Sequence, residues 1–104
     1  MTEKVGKLIA RRVYSSAVNT AATIQVELFA PLPSPHRQDE SMCSFRIISP
    51  PESDEVKTTF GLDEFQALQL ALRSIHVRLR ILNDASGLQL RWIGDEHGDL
   101  GMLI

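Results

Sequence analysis

Hydrophobic and polar residues alternate one for one along four separate stretches of the chain. Ile24, Val26 and Leu28 alternate with Gln25 and Glu27, and Cys43, Phe45 and Ile47 alternate with Ser44 and Arg46. Val56, Thr58 and Phe60 alternate with Lys57 and Thr59, and Leu88, Leu90 and Trp92 with Gln89 and Arg91. Successive side chains of a strand project to opposite faces, so this period predicts a sheet with one buried face and one wet face, as in antiparallel sheets. A further run, about Leu8 to Val18, is less regular. There the adjacent Arg11 and Arg12 interrupt the alternation, which predicts a bulge or an edge strand.

Between the fourth and last of these strands the period changes to that of a helix. Phe65, Leu68, Leu72, Ile75 and Leu79 form the expected core stripe, with Gln66, Gln69, Arg73, His76 and Arg80 as a polar stripe beside it. Asp63 predicts the N-cap, and Gln66 three residues on gives a capping-box start. Acidic residues open the helix, Arg78 and Arg80 are expected near its end, and Asn83 through Gly87 terminates it. Leu70, Val77 and Ile81 fall well away from the main stripe and join Ala67 and Ser74 in a second, narrower apolar strip. Cover from the N-terminal arm or from Met102-Leu103-Ile104 would explain that strip, and so would a subunit or partner contact.

These elements predict an α+β fold of order ββββαβ: a five-stranded, mostly antiparallel sheet with one long helix on one face. A meander of four strands followed by a helix leaves the last strand two places to go. Beside the first strand it completes an all-antiparallel order 5-1-2-3-4, which is favoured because antiparallel pairs are commoner. Two proline-marked breaks separate the strands. Residues 31–41 carry prolines at 31, 33 and 35 and read as a long loop, and Pro50-Pro51-Glu52-Ser53-Asp54 reads as a turn.

A chain of 104 residues provides one core, so residues 1–104 are expected to form a single domain. The 11 basic against 13 acidic side chains argue against broad capture of nucleic acid. No secretory signal or membrane-spanning run is visible, which makes the cytoplasm the expected location. The single cysteine, Cys43, belongs to the apolar set of its strand and reads as a buried structural thiol.

No nucleophile, phosphate-loop or zinc motif occurs, so no catalytic residue, cofactor or metal is expected. The one cluster that invites a ligand is the turn Asp95, Glu96, His97 and Asp99. A divalent cation or small molecule there is the alternative to a plain polar turn, although the spacing is not that of a calcium loop. Binding to another protein is easier to support. The wet sheet face is expected to present Arg46, Lys57 and Arg91, with Gln25, Glu27, Ser44, Thr59 and Gln89, Arg11 or Arg12 nearby, and no aromatic stacking platform. The proline loop adds His36 and Arg37, and the helix adds Leu70, Val77 and Ile81. A solvated sheet face is the competing reading of the charged set.

Phe60 through Leu72 (FGLDEFQALQLAL), followed by Leu90-Arg91-Trp92-Ile93-Gly94 and Gly98-Asp99-Leu100-Gly101, resembles a family of small bacterial proteins known only as a domain of unknown function. The strand around Cys43–Ile47 also fits, so the resemblance covers about the last two-thirds of the chain and leaves out the proline loop and the N-terminal arm. It implies a bacterial, cytoplasmic, stand-alone domain and brings no activity or ligand. The function expected is therefore a non-catalytic protein-interaction module, such as an immunity or accessory protein, with a second copy of the chain among the partners considered.

Overall fold

In a computed structural model, which describes residues 5–18, 23–49, 53–87 and 89–92, the alternating runs become strands of one sheet. The elements are β1 (Leu8–Ser16), β2 (Thr23–Phe29), β3 (Leu32–Pro33), β4 (Ser41–Ser49), β5 (Ser53–Gly61), α1 (Glu64–Ser86) and β6 (Leu90–Trp92). All pairings are antiparallel and the main path runs β6-β1-β2-β4-β5, with the last strand beside the first. The difference from the expected order is β3, which pairs with Met42 and Ser41 of β4 in line with β2. Residues 31–41 are therefore not loop throughout. Pro33 is tolerated in a strand because β3 has no second neighbour among the described residues.

Arg11 and Arg12 do not break β1. Both stay in register, opposite Glu27 and Val26, and the irregularity lies between Leu8 and Ala10. The strand ends at Ser16 rather than Val18. Gln89, expected in the last strand, precedes it with a positive φ of 50°, and Leu88 lies outside the described residues.

The facing of β5 is reversed from the expectation. Residues opposite one another on paired strands share a face, and the core residues Cys43, Phe45 and Ile47 stand opposite Thr59, Lys57 and Glu55. Those three therefore face the helix, while Val56, Thr58 and Phe60 face away from it. The reason is close approach. A Cβ on Gly61 would lie 2.5 Å from the Ala67 nitrogen, and the Thr59 hydroxyl donates to the Ala67 carbonyl at 2.9 Å. Val56 or Phe60 turned inward would hold the helix away from its edge strand.

The helix seam is rotated for the same reason. α1 buries Ala67, Ala71, Ile75 and Leu79, at successive four-residue steps. Of the expected stripe, Ile75 and Leu79 are buried, Leu68 and Leu72 are half-buried, and Phe65 is 76% exposed. Alanine at two seam positions brings the helix axis close to β4 and β5, over which it packs. Ile24, Val26 and Tyr14 continue the core under β2 and β1, with Leu90 from β6.

At the N-terminus, Asp63 Oδ1 accepts from Gln66 N at 2.7 Å as expected. The Gln66 side chain answers with Oε1 to the Leu62 N–H at 2.7 Å, one residue before the cap. The helix continues to Ser86 and is capped by Gly87, whose φ of 61° and N–H bond to Asn83 O are those of a left-handed cap. Arg78 and Arg80 consequently lie upstream of the last turn, which holds no basic residue.

Candidate functional site

The sheet face opposite the helix is organised by Glu27 on the central strand β2. Its side chain is only 8% exposed, and its carboxylate accepts from Arg11 at 3.0 Å, Gln25 at 3.3 Å and Arg46 at 3.3 Å. Burial of an ionised carboxylate requires such partners, and the two guanidinium groups supply them. Arg46 also grips Asp54 of β5 with two hydrogen bonds, its Nε at 2.7 Å. The hydrogen bond from Arg46 holds the Asp54 carboxyl below the usual carboxylate range. The same bond raises the guanidinium further above its ordinary value. Four strands are thus tied by a chain of alternating charges, Arg11, Glu27, Arg46 and Asp54, whose cations are already engaged by acids.

The three cations expected to share this face are apart. Arg46 is at its centre. Lys57 is on the helix side, where it pairs with Glu55 at 3.2 Å, and Arg78 of the helix reaches the same carboxylate. Arg91 stands opposite Ser15 on β6 and donates to the Leu90 carbonyl at 3.2 Å, three strand spacings from Arg46. Thr59 has also moved to the helix side, for the reason given above. Arg12 faces the helix side too, its guanidinium 4.3 Å from the centroid of the Trp92 ring.

An aromatic does lie on the open face, against expectation. Phe60 sits there with the His36 ring at 5.7 Å and a 51° tilt. The proline segment is folded back onto the sheet at that point, above buried Met42. Its root is tied by the Ser34 hydroxyl, which donates to Glu40 at 2.8 Å and accepts from the His36 N–H. Arg37 remains exposed and pairs with Asp39 at 3.4 Å.

Leu70, Val77 and Ile81 are exposed, at 36%, 47% and 54%. Their neighbours locate them in the fold. At 100° per residue, Ala67 of the seam and Arg78 lie between the strip and the rest of the buried seam, and these two lie over β5 through Thr59, Gly61 and Glu55. The strip therefore rises beside the outer edge of β5, which pairs only with β4 among the described residues. Sequence periodicity found the strip but not its juxtaposition with a nine-residue strand that has one neighbour among the described residues. Strand order is what brings the two together.

Cys43 is buried, as its place in the apolar set predicts, and its thiol donates to the Phe29 carbonyl at 3.3 Å. Burial pushes its pKa up to about 11. His76 is half-buried on the expected polar stripe, with Nδ1 enclosed and unpartnered among the described residues. No group of three or more His, Cys, Asp or Glu side chains among the described residues could hold a metal ion. The turn Asp95, Glu96, His97 and Asp99 lies outside the described residues. No described helix is long and apolar enough to cross a membrane.

The family model that matches the chain is described as a domain of unknown function, DUF6968, and spans residues 10–104. It takes in the proline segment, which the sequence resemblance had left out. No curated protein and no solved structure matches the chain.

Proposed function

From the premise that the chain belongs to this family of domains of unknown function, we propose that it is a non-catalytic protein-interaction module. One observation carries the reading. The exposed strip Leu70, Val77 and Ile81 runs beside the outer edge of β5, which pairs only with β4 among the described residues, so apolar side chains and a strand edge are offered together. Burial of apolar surface drives most protein association, and a sheet edge adds main-chain donors and acceptors to it. The charged open face supports the reading less, because Arg46 is already held by two acids. An immunity or accessory protein seated on a toxin or effector is one concrete form of such a module, and the cytoplasm is the compartment proposed for it.

The test is recovery of bound protein from cells that make the chain, by cross-linking and affinity purification, with wild type and Ile81→Glu compared at equal abundance. A defined protein, a second copy included, should be retained by wild type and lost from the variant, since a carboxylate would have to be buried unpaired in the contact. Identical recoveries from the two would remove the strip from any interaction.

A further inference from the structure

We infer that the partner at the β5 edge is a second copy of this chain, related by a two-fold axis that passes beside Val56. The inference rests on the proposed interaction surface and adds its occupant and register. A two-fold contact between antiparallel edge strands sets each residue opposite its mirror about the axis. With Val56 on the axis, Glu55 of each copy stands opposite Lys57 of the other. Both lie on the helix side, where opposite charges on facing strands attract. Two such pairs form at once, and Val56 meets its own copy on the open face.

The helix supplies an independent alignment. α1 runs antiparallel to β5, with Ala67 beside Thr59 and Arg78 reaching Glu55. From Thr59 to Val56 is about 10 Å at ~3.3 Å per strand residue, which corresponds to about seven helical residues at ~1.5 Å each. The same axis therefore passes near Ser74, the small residue in the middle of the strip. About that point Leu70 of one copy meets Val77 of the other, and Ser74 meets Ser74. The spacing 70, 74, 77, 81 is the four-three repeat by which two helices interlock. Charge in the strand and shape in the helix thus select one axis, and the product is a continuous sheet through both copies with their helices side by side.

The experiment is sedimentation equilibrium of the purified full chain across about 1–100 µM, with wild type, Val77→Glu, Lys57→Glu and Glu55→Lys. Circular dichroism verifies that each is folded. Wild type should populate a species of twice the 11.6 kDa chain mass. Val77→Glu should be monomeric. Lys57→Glu and Glu55→Lys should each weaken self-association by roughly tenfold or more, because like charges then face one another twice. Mixed in equal amounts, these two should recover the dimer mass, since acid faces base at both sites of the mixed pair. Wild type at the single-chain mass throughout the range overturns the inference. So does a dimer indifferent to all three substitutions, or a mixture no tighter than its separate components. A monomeric wild type that still retains a different protein, lost on Ile81→Glu, would preserve the interaction reading and end only this one.

Discussion

Cys43 shows how a single side chain can be fixed by its strand parity. It alternates with Ser44 and so falls on the helix side, where it is buried and spends its weak S–H on the Phe29 carbonyl. A thiol in that setting is neither nucleophile nor metal ligand at neutral pH. In native buffer the thiol should react with a soluble disulfide reagent at least ~100-fold more slowly than in denaturant, a ratio set by the opening equilibrium. Its pKa is raised to about 11 from 9.0, so the unfolded chain loses this proton first as pH rises. The thiol's contribution to stability is therefore complete below about pH 9 and declines between there and about pH 11. A Cys43→Ala variant, read by urea midpoint, should lack that part of the alkaline decline.

The helix and its edge strand depend on each other through Gly61. Replacement by alanine would set a Cβ against the backbone nitrogen of Ala67, which has no flexible end to move aside. Gly61→Ala should lower stability by about 2 kcal/mol, as overpacking does, with the loss seen as an earlier urea transition at unchanged slope. Most of the element pattern was legible in the residues: alternation located β2 and β4, and Asp63 marked the helix start. The facing of β5 was not, because Val56, Thr58 and Phe60 alternate as a buried set would. What decides the facing is the approach of the helix at Thr59 and Gly61, a tertiary fact. The same contact shifts the helix seam onto Ala67 and Ala71, whose small apolar area carries little periodic signal beside Phe65.

Across the whole molecule, four strands are joined by the ladder of charges on the open face. Glu27 was legible only as a polar residue on a wet face. Its burial follows from the positions of Arg11 and Arg46 on the two neighbouring strands, which no local spacing reveals. Asp54 extends the ladder to the edge. Its carboxyl titrates lower in the folded chain than in the unfolded one because Arg46 donates to it, so its contribution is present above about pH 4 and is lost as the pH falls below that. The stability difference between wild type and Asp54→Asn should accordingly be constant near neutrality and shrink as the pH falls through the carboxylate range, below about 4. A difference unchanged over that interval would mean that the ion pair adds nothing.

The proline segment is anchored at its root and at one point beyond. Leu32 and Pro33 are zipped to Met42 and Ser41, Ser34 is tied to Glu40, and the His36 ring rests on Phe60. Residues 37–39 lie past those ties and carry no part of the core. Lengthening a surface connection is thermodynamically mild when its stem is already closed. That tip is where descendants of this chain can change length and composition, and so diversify what they touch, while the scaffold beneath keeps its shape.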